Sequence, residues 1–272
     1  MYPELLKYQE IENRKDLQFI NLGTGMGYYD FCYEDISIPA FNFALPQQSL
    51  QFDYKILKNY HHKCEKGCKV CIVLPYFIFC GNYIQGLERI HERYYSILPM
   101  EEVEEYCETS YEAYRKKIET DGICGKLELG RPLDGHEMEV QSRKAIENWE
   151  RQLPIISCMS GQLSVKAMAE MAVTKGWLKR ILEICRCCEF VPVIIVPPMS
   201  SVLLGKISRE FRMSHFYDQM YEVIGDTVAV LDYSENGTYC SPELYGWPGF
   251  LVKDAAKQFT KEIVAIVGQM HA

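Results

Sequence analysis

The chain of 272 residues carries 29 Lys and Arg against 37 Asp and Glu, a net charge of −8. That balance argues against a nucleic-acid partner and against an anionic membrane surface. Hydrophobic residues at 48% and charged residues at 24% are ordinary for a soluble globular protein, long enough for one large α/β domain or two small ones.

The opening residues, MYPELLKYQEIENRKD, hold no basic segment followed by an apolar block, so no signal peptide is read and a cytoplasmic protein is expected. Their polar character predicts a helical cap on the domain. The stretch that organises the chain follows, LQFINLGTGMGYYD over 17–30. Phe19-Ile20-Asn21-Leu22 reads as a buried first strand. Gly23-Thr24-Gly25-Met26-Gly27 is a turn for a glycine-tolerant backbone. In an α/β protein, ligands sit at the carboxyl end of such a strand.

A second strand is predicted over 38–45, ending at Pro46. Ser49 is placed to cap a helix whose apolar face uses Leu50, Tyr54, Ile56, Leu57 and Tyr60. Val70-Cys71-Ile72-Val73-Leu74 is the third strand, apolar enough for a central parallel strand covered on both faces. Strand, helix and strand in this spacing form a right-handed βαβ unit. The longest apolar run, 70–80, is broken by Pro75 and is too short to span a bilayer.

Residues 81–190 are predicted to be a helical insertion. The acidic run at 101–105 and the segment 106–118 read as solvated helix, and 121–136 as a glycine-rich loop. A helix over 140–153 places Ile146, Trp149 and Leu153 on one stripe. A longer helical segment, 164–188, repeats Met168, Met171, Leu178, Ile181 and Cys185 at spacings of three and four, with a break or kink at Gly176. Regular structure resumes with a strand at 191–196 ended by Pro197-Pro198, a helix over 207–224 and a fifth strand over 227–232. A loop, 233–252, leads to a last helix over 253–267, with Ala256, Phe259, Ile263 and Val267 on its apolar face. The expected fold is α/β: a three-layer doubly wound sandwich, flavodoxin-like, with a mainly parallel five-stranded sheet in one domain over 1–272.

Twelve cysteines in a chain without a secretion signal read as free thiols. Cys64-x3-Cys68-x2-Cys71 resembles half a zinc site, and Cys185, Cys187 and Cys188 a second half. Cys71, however, is committed to the third strand. Buried cysteine acts as a small apolar residue, so no metal site and no cofactor is expected, and a zinc-stabilised protein is the third reading.

Several separated segments resemble SGNH-type (GDSL-like) hydrolases, especially bacterial members associated with surface-polysaccharide modification. They are 20–31, Phe41-Asn42-Phe43-Ala44, 193–198, Val230-Leu231-Asp232-Tyr233-Ser234 and 255–260, 33 residues of the 272 in order along the chain. The resemblance implies a serine nucleophile after the first strand, a histidine base in the last loop, and an aspartate three residues before it. Backbone N–H groups, a glycine and an asparagine would hold the oxyanion. Here the first turn reads Gly23-Thr24-Gly25, with glycine where the nucleophile belongs. Trp247 stands for the aspartate and Phe250 for the histidine. Ala44 or Asn42 lies near the oxyanion glycine, and Asn82 is the asparagine. None of His61, His62, His91, His136, His215 and His271 falls in the final loop.

The expectation is therefore an SGNH-hydrolase-like protein with a degenerate site. Its binding cleft would be formed by Gly23, Thr24, Gly25, Met26, Asn42, Asn82, Trp247 and Phe250. The ligand would be a small molecule or glycan, since stacked aromatics suit sugar rings, and the resemblance alone supplies a setting in glycan or cell-envelope biosynthesis. The alternative is a divergent acyl or acetyl esterase, with Thr24 as the weak nucleophile. The glycines at 23, 25 and 27 lack the spacing of a dinucleotide fingerprint, and no phosphate-loop lysine motif occurs.

Overall fold

The computed structural model describes residues 3–81, 92–103, 129–153 and 155–270, together with Glu112 and Lys116. Asn82, most of the predicted acidic helix and the first part of the glycine-rich loop lie outside the described residues.

The strands are β1 (Leu17–Gly23), β2 (Ala40–Asn42), β3 (Cys64–Val73), a small antiparallel pair β4 (Ile155–Ser157) and β5 (Gln162–Leu163), β6 (Val191–Val196), β7 (Ala229–Asp232), and a second small pair β8 (Tyr245–Trp247) and β9 (Phe250–Leu251). Five of them make one parallel sheet in the order β2-β1-β3-β6-β7. This is the flavodoxin-like arrangement, with the predicted third strand at its centre. The helices are α1 (Gly25–Tyr29), α2 (Leu50–Tyr60), α3 (Gly135–Gln152), α4 (Val165–Cys187), α5 (Ser201–Leu204), α6 (Arg209–Arg212), α7 (Asp218–Ile224) and α8 (Lys253–Val267). A π-helical turn, Met213–Tyr217, joins α6 to α7.

Register follows the apolar runs. Ile20 pairs Val70, Ile72 pairs Ile194, and Ile195 pairs Leu231. Phe19, Ile20, Leu22, Val70, Ile72, Val73, Ile194 and Ile195 are fully buried, each aliphatic side chain contributing about 1.5–3 kcal/mol of burial. Helix α4 packs between α2 and α7, turning Ala167, Met171, Leu178, Ile181 and Cys185 inward. Helix α8 buries Ala256, Phe259, Ile263 and Val267, the face read from its sequence.

Several local expectations change. The first segment is a 3-10 helix, Pro3–Asn13. Strand β2 keeps only three residues, Ala40–Asn42. Strand β3 begins at Cys64, ahead of the predicted run, through an irregularity at the positive-φ Gly67, whose N–H donates to the Glu189 carbonyl at 2.9 Å. Helix α3 starts at Gly135 because Asp134 and Glu137 form a reciprocal capping box, with bonds of 2.8 and 3.0 Å. Gly176 breaks nothing: α4 runs through it for 23 residues. As the crossover helix between β3 and β6, α4 belongs to the sandwich, so the added segment ends before Val165. Ser49 occupies the N-cap position of α2 but makes no side-chain capping bond.

All ten described cysteines are free. Burial pushes the Cys71 thiol well up and the Cys185 thiol to about 12, so both stay neutral. Among the described residues no three His, Cys, Asp or Glu are placed to hold a metal ion, and no helix is long and apolar enough to cross a membrane.

Candidate functional site

The chain leaves β1 toward β2 on one side and returns to β3 on the other, which puts a topological switch point at the carboxyl end of β1. Gly23 ends that strand with φ of 135°. A Cβ there would stand 2.9 Å from the Val73 carbonyl oxygen of the neighbouring strand, so both backbone angle and space demand glycine. Thr24 follows as the N-cap of α1, its hydroxyl making no capping bond.

A cleft of about 420 Å³ opens over this turn. Thr24, Gly25, Met26 and Tyr29 form its floor, and Trp247, Gly249 and Phe250 one wall. Ala145, Asn148, Trp149 and Gln152 of α3 form another wall, with Phe77, Pro46, Gln47 and Leu203 completing the lining. Among the described residues no lining side chain is an Asp, Glu, His, Lys, Arg or Cys. The surface is aromatic, set with one hydroxyl threonine and three side-chain amides. Gln47 holds a non-glycine backbone at φ of 58°, local strain of the kind that gathers at ligand sites.

The structure brings Gly25, Trp247 and Phe250 together across more than two hundred residues of sequence. The Phe250 ring lies so near Gly25 that a Cβ would meet its Cζ at 2.8 Å and its Cε1 at 2.9 Å. The same ring stacks on Tyr29 with centroids 4.6 Å apart. Two anchors hold the β8–β9 hairpin in place. Ser200 Oγ donates to the Pro248 carbonyl at 2.9 Å. The Leu251 N–H donates to Asp30 Oδ1 at 2.8 Å. Asp30 is fully buried, and desolvation raises its pKa well above the usual carboxylate range.

Asn42 does not line this cleft. It borders a separate cavity of about 750 Å³ beside the edge strand, and its amide is spent on the fold. Nδ2 lies 3.0, 3.1 and 3.0 Å from the carbonyls of Gly27, Tyr28 and Phe31. Its Oδ1 accepts from the Ala44 N–H at 2.9 Å. Gly23 supports the floor from behind, and Asn82 lies outside the described residues. The described histidines are elsewhere: His215 Nε2 is 2.6 Å from the Gly161 carbonyl and His61 Nδ1 2.8 Å from that of Lys58, while His62 and His136 are exposed.

A second cluster of hydroxyls closes the end of β7. Tyr76 donates to Ser234 Oγ at 2.5 Å, and Ser234 Oγ and Tyr217 donate to the two oxygens of Asp232 at 2.6 and 2.5 Å. Ser234 is 1% exposed, and the cluster borders a cavity of about 620 Å³ that Arg209 and Arg212 also line.

Sequence reasoning missed the α3 wall. The signal was present: Ala145, Asn148, Trp149 and Gln152 recur at three and four residues, a face that shares Trp149 with the predicted stripe through Ile146 and Leu153. No protein-family model matches this chain, and no curated protein does.

Proposed function

We propose that this cleft binds an uncharged, ring-bearing small molecule, a carbohydrate unit, and that the chain is an SGNH-hydrolase-like protein without family-type esterase activity, serving as a binding or accessory protein. The Phe250 ring carries this reading, because it occupies the space above Gly25 where a nucleophile and its base would have to meet. Acyl transfer needs a proton acceptor within hydrogen-bond reach of the attacking hydroxyl, and the lining around Thr24 supplies none among the described residues. Trp149 and Trp247 offer flat faces to a sugar ring, while Gln47, Asn148 and Gln152 offer both donors and acceptors to hydroxyl groups. The setting in glycan or cell-envelope biosynthesis rests on the resemblance.

Titration with a panel of neutral mono- and oligosaccharides, followed by tryptophan fluorescence and calorimetry, tests the reading. Trp149→Ala and Trp247→Ala are each expected to weaken the binding about tenfold, equivalent to about 1.4 kcal/mol. A panel of short acyl esters is expected to go unhydrolysed. Turnover abolished by Thr24→Ala would establish the esterase alternative instead.

A further inference from the structure

Beneath the cleft, the Gly23 N–H donates to Asp53 Oδ1 at 2.8 Å, and Gln48 Nε2 donates to the same oxygen at 2.6 Å. Asp53 and Gln48 are both 0% exposed. Their remaining oxygens, Asp53 Oδ2 and Gln48 Oε1, have no hydrogen-bond partner. Among the described residues the groups that reach Asp53 are the Gly23 N–H and the Gln48 amide, both uncharged. A carboxylate here would leave an uncompensated charge in a dry interior, beside an amide oxygen that also lacks a donor.

A proton on Oδ2 supplies the missing donor, and Gln48 Oε1 is the acceptor left over. The amide N–H already enters Oδ1, and an acid O–H donated to Oε1 would close a ring between the two side chains. One proton satisfies two orphaned atoms. We propose that Asp53 is a neutral carboxylic acid that forms a cyclic acid–amide pair with Gln48, and that this pair is a proton-dependent clamp under the cleft.

The clamp joins two backbone segments that line the cleft. Through Asp53 it holds Gly23, the residue before Thr24 and Gly25. Through Gln48 it holds the turn after β2: the Gln48 N–H donates to the Leu45 carbonyl at 3.1 Å, and its Nε2 lies 3.3 Å from that of Phe43. The strained Gln47 is the adjoining residue. Loss of the proton sets a carboxylate against the Gln48 carbonyl oxygen and leaves the turn beside Gln47 tied to Asp53 through Oδ1 alone.

The surroundings favour the neutral form. Burial pushes the Asp53 pKa up to about 7 against the two bonds from Gln48 and Gly23. Tyr8 of the first 3-10 helix faces Asp53, and Tyr60, Tyr94 and Arg93 in turn surround Tyr8. Burial raises the pKa of Tyr8 well up and that of Tyr60 to about 12, so neither ionises near neutrality. The Arg93 guanidinium donates to the Tyr94 hydroxyl at 2.9 Å, and the Lys55 ammonium lies 5.0 Å from the Phe52 ring.

Because the folded chain holds this proton more tightly than the unfolded one, the linked stability is complete below the ordinary carboxylate range. It is lost progressively as pH rises to about 7. The test is a 13C NMR titration of the Asp53 side-chain carboxyl in the full chain, with thermal unfolding measured from pH 5 to pH 8. The expected carboxyl midpoint is about 7, with a wild-type melting temperature that falls across the range. Asp53→Asn can accept from Gly23 and Gln48 and donate to Gln48 Oε1, so it is expected to lose this part of the fall and to melt no lower than wild type at pH 8. An Asp53 carboxyl already ionised at pH 5, or an Asp53→Asn variant with the wild-type pH profile, would overturn the clamp. Only its effect on binding rests on the cleft reading: a carboxyl titrating near 7 in a protein that takes no carbohydrate upholds the clamp and sinks that reading.

Discussion

Asn42→Ala is expected to cost about 2–4 kcal/mol of folding stability, read as a lower urea midpoint at unchanged slope. The side chain faces the carbonyls of Gly27 and Tyr28 in α1 and of Phe31 just beyond it, and accepts from the Ala44 N–H. Asn21 Nδ2 adds a contact to the same Oδ1 at 3.2 Å. Alanine removes the side-chain partner of the Tyr28 and Phe31 carbonyls and of the Ala44 N–H, while the Gly27 carbonyl keeps Asn21 Nδ2 at 2.9 Å, and unmet buried groups cost more than a net hydrogen bond contributes. Asn42→Asp is a sharper control: it keeps the acceptor and turns a carboxylate oxygen toward three carbonyls, so it is expected to be no more stable than alanine. A loss under about 1 kcal/mol, the ordinary size for a point substitution, would show that the turn does not depend on this residue.

Gly25→Ser is expected to create no esterase and to destabilise the protein by about 1–3 kcal/mol. The new Cβ would press on the Phe250 ring at under 3 Å. The ring cannot retreat freely, since it stacks on Tyr29 and its hairpin is tied at Ser200 and Asp30. Phe250→Ala removes the obstruction, so the double variant should be more stable than the sum of the two single losses predicts. The expected coupling is about 0.5–3 kcal/mol, the range for residues in contact. Additive losses would place Phe250 away from Gly25 in solution. Ester turnover by Gly25→Ser alone would mean that a base reaches this turn after all.

Much of the sandwich was legible from local pattern. Val70–Val73 and Val191–Val196 are continuous apolar runs, and a run covered on both faces belongs in a parallel sheet. The glycine turn after β1 was legible because positive φ is a property of the backbone itself. Gly176 misled, since a glycine in an otherwise helical stretch lowers propensity without ending the helix when one face is buried. The early start of β3 was hidden because Cys64–Lys69 is polar and its pairing depends on a contact with the Glu189 turn. Of the expected cleft, Thr24, Gly25, Met26, Trp247 and Phe250 line the cavity together. Asn42 was drawn elsewhere by three carbonyls that no spacing in the sequence announces.

The order of strands and helices, the need for glycine at position 23 and the absence of a histidine from the final loop were determined by the sequence alone. These depend on neighbours within a few residues: side-chain periodicity, backbone angles and the residue type available. The wall on α3, the ring of Phe250 over Gly25 and the burial of Asp53 against Gly23 were decided only by tertiary structure. Each joins groups distant along the chain, and the shared packing of the sheet and its helices, rather than any local preference, sets which of them meet.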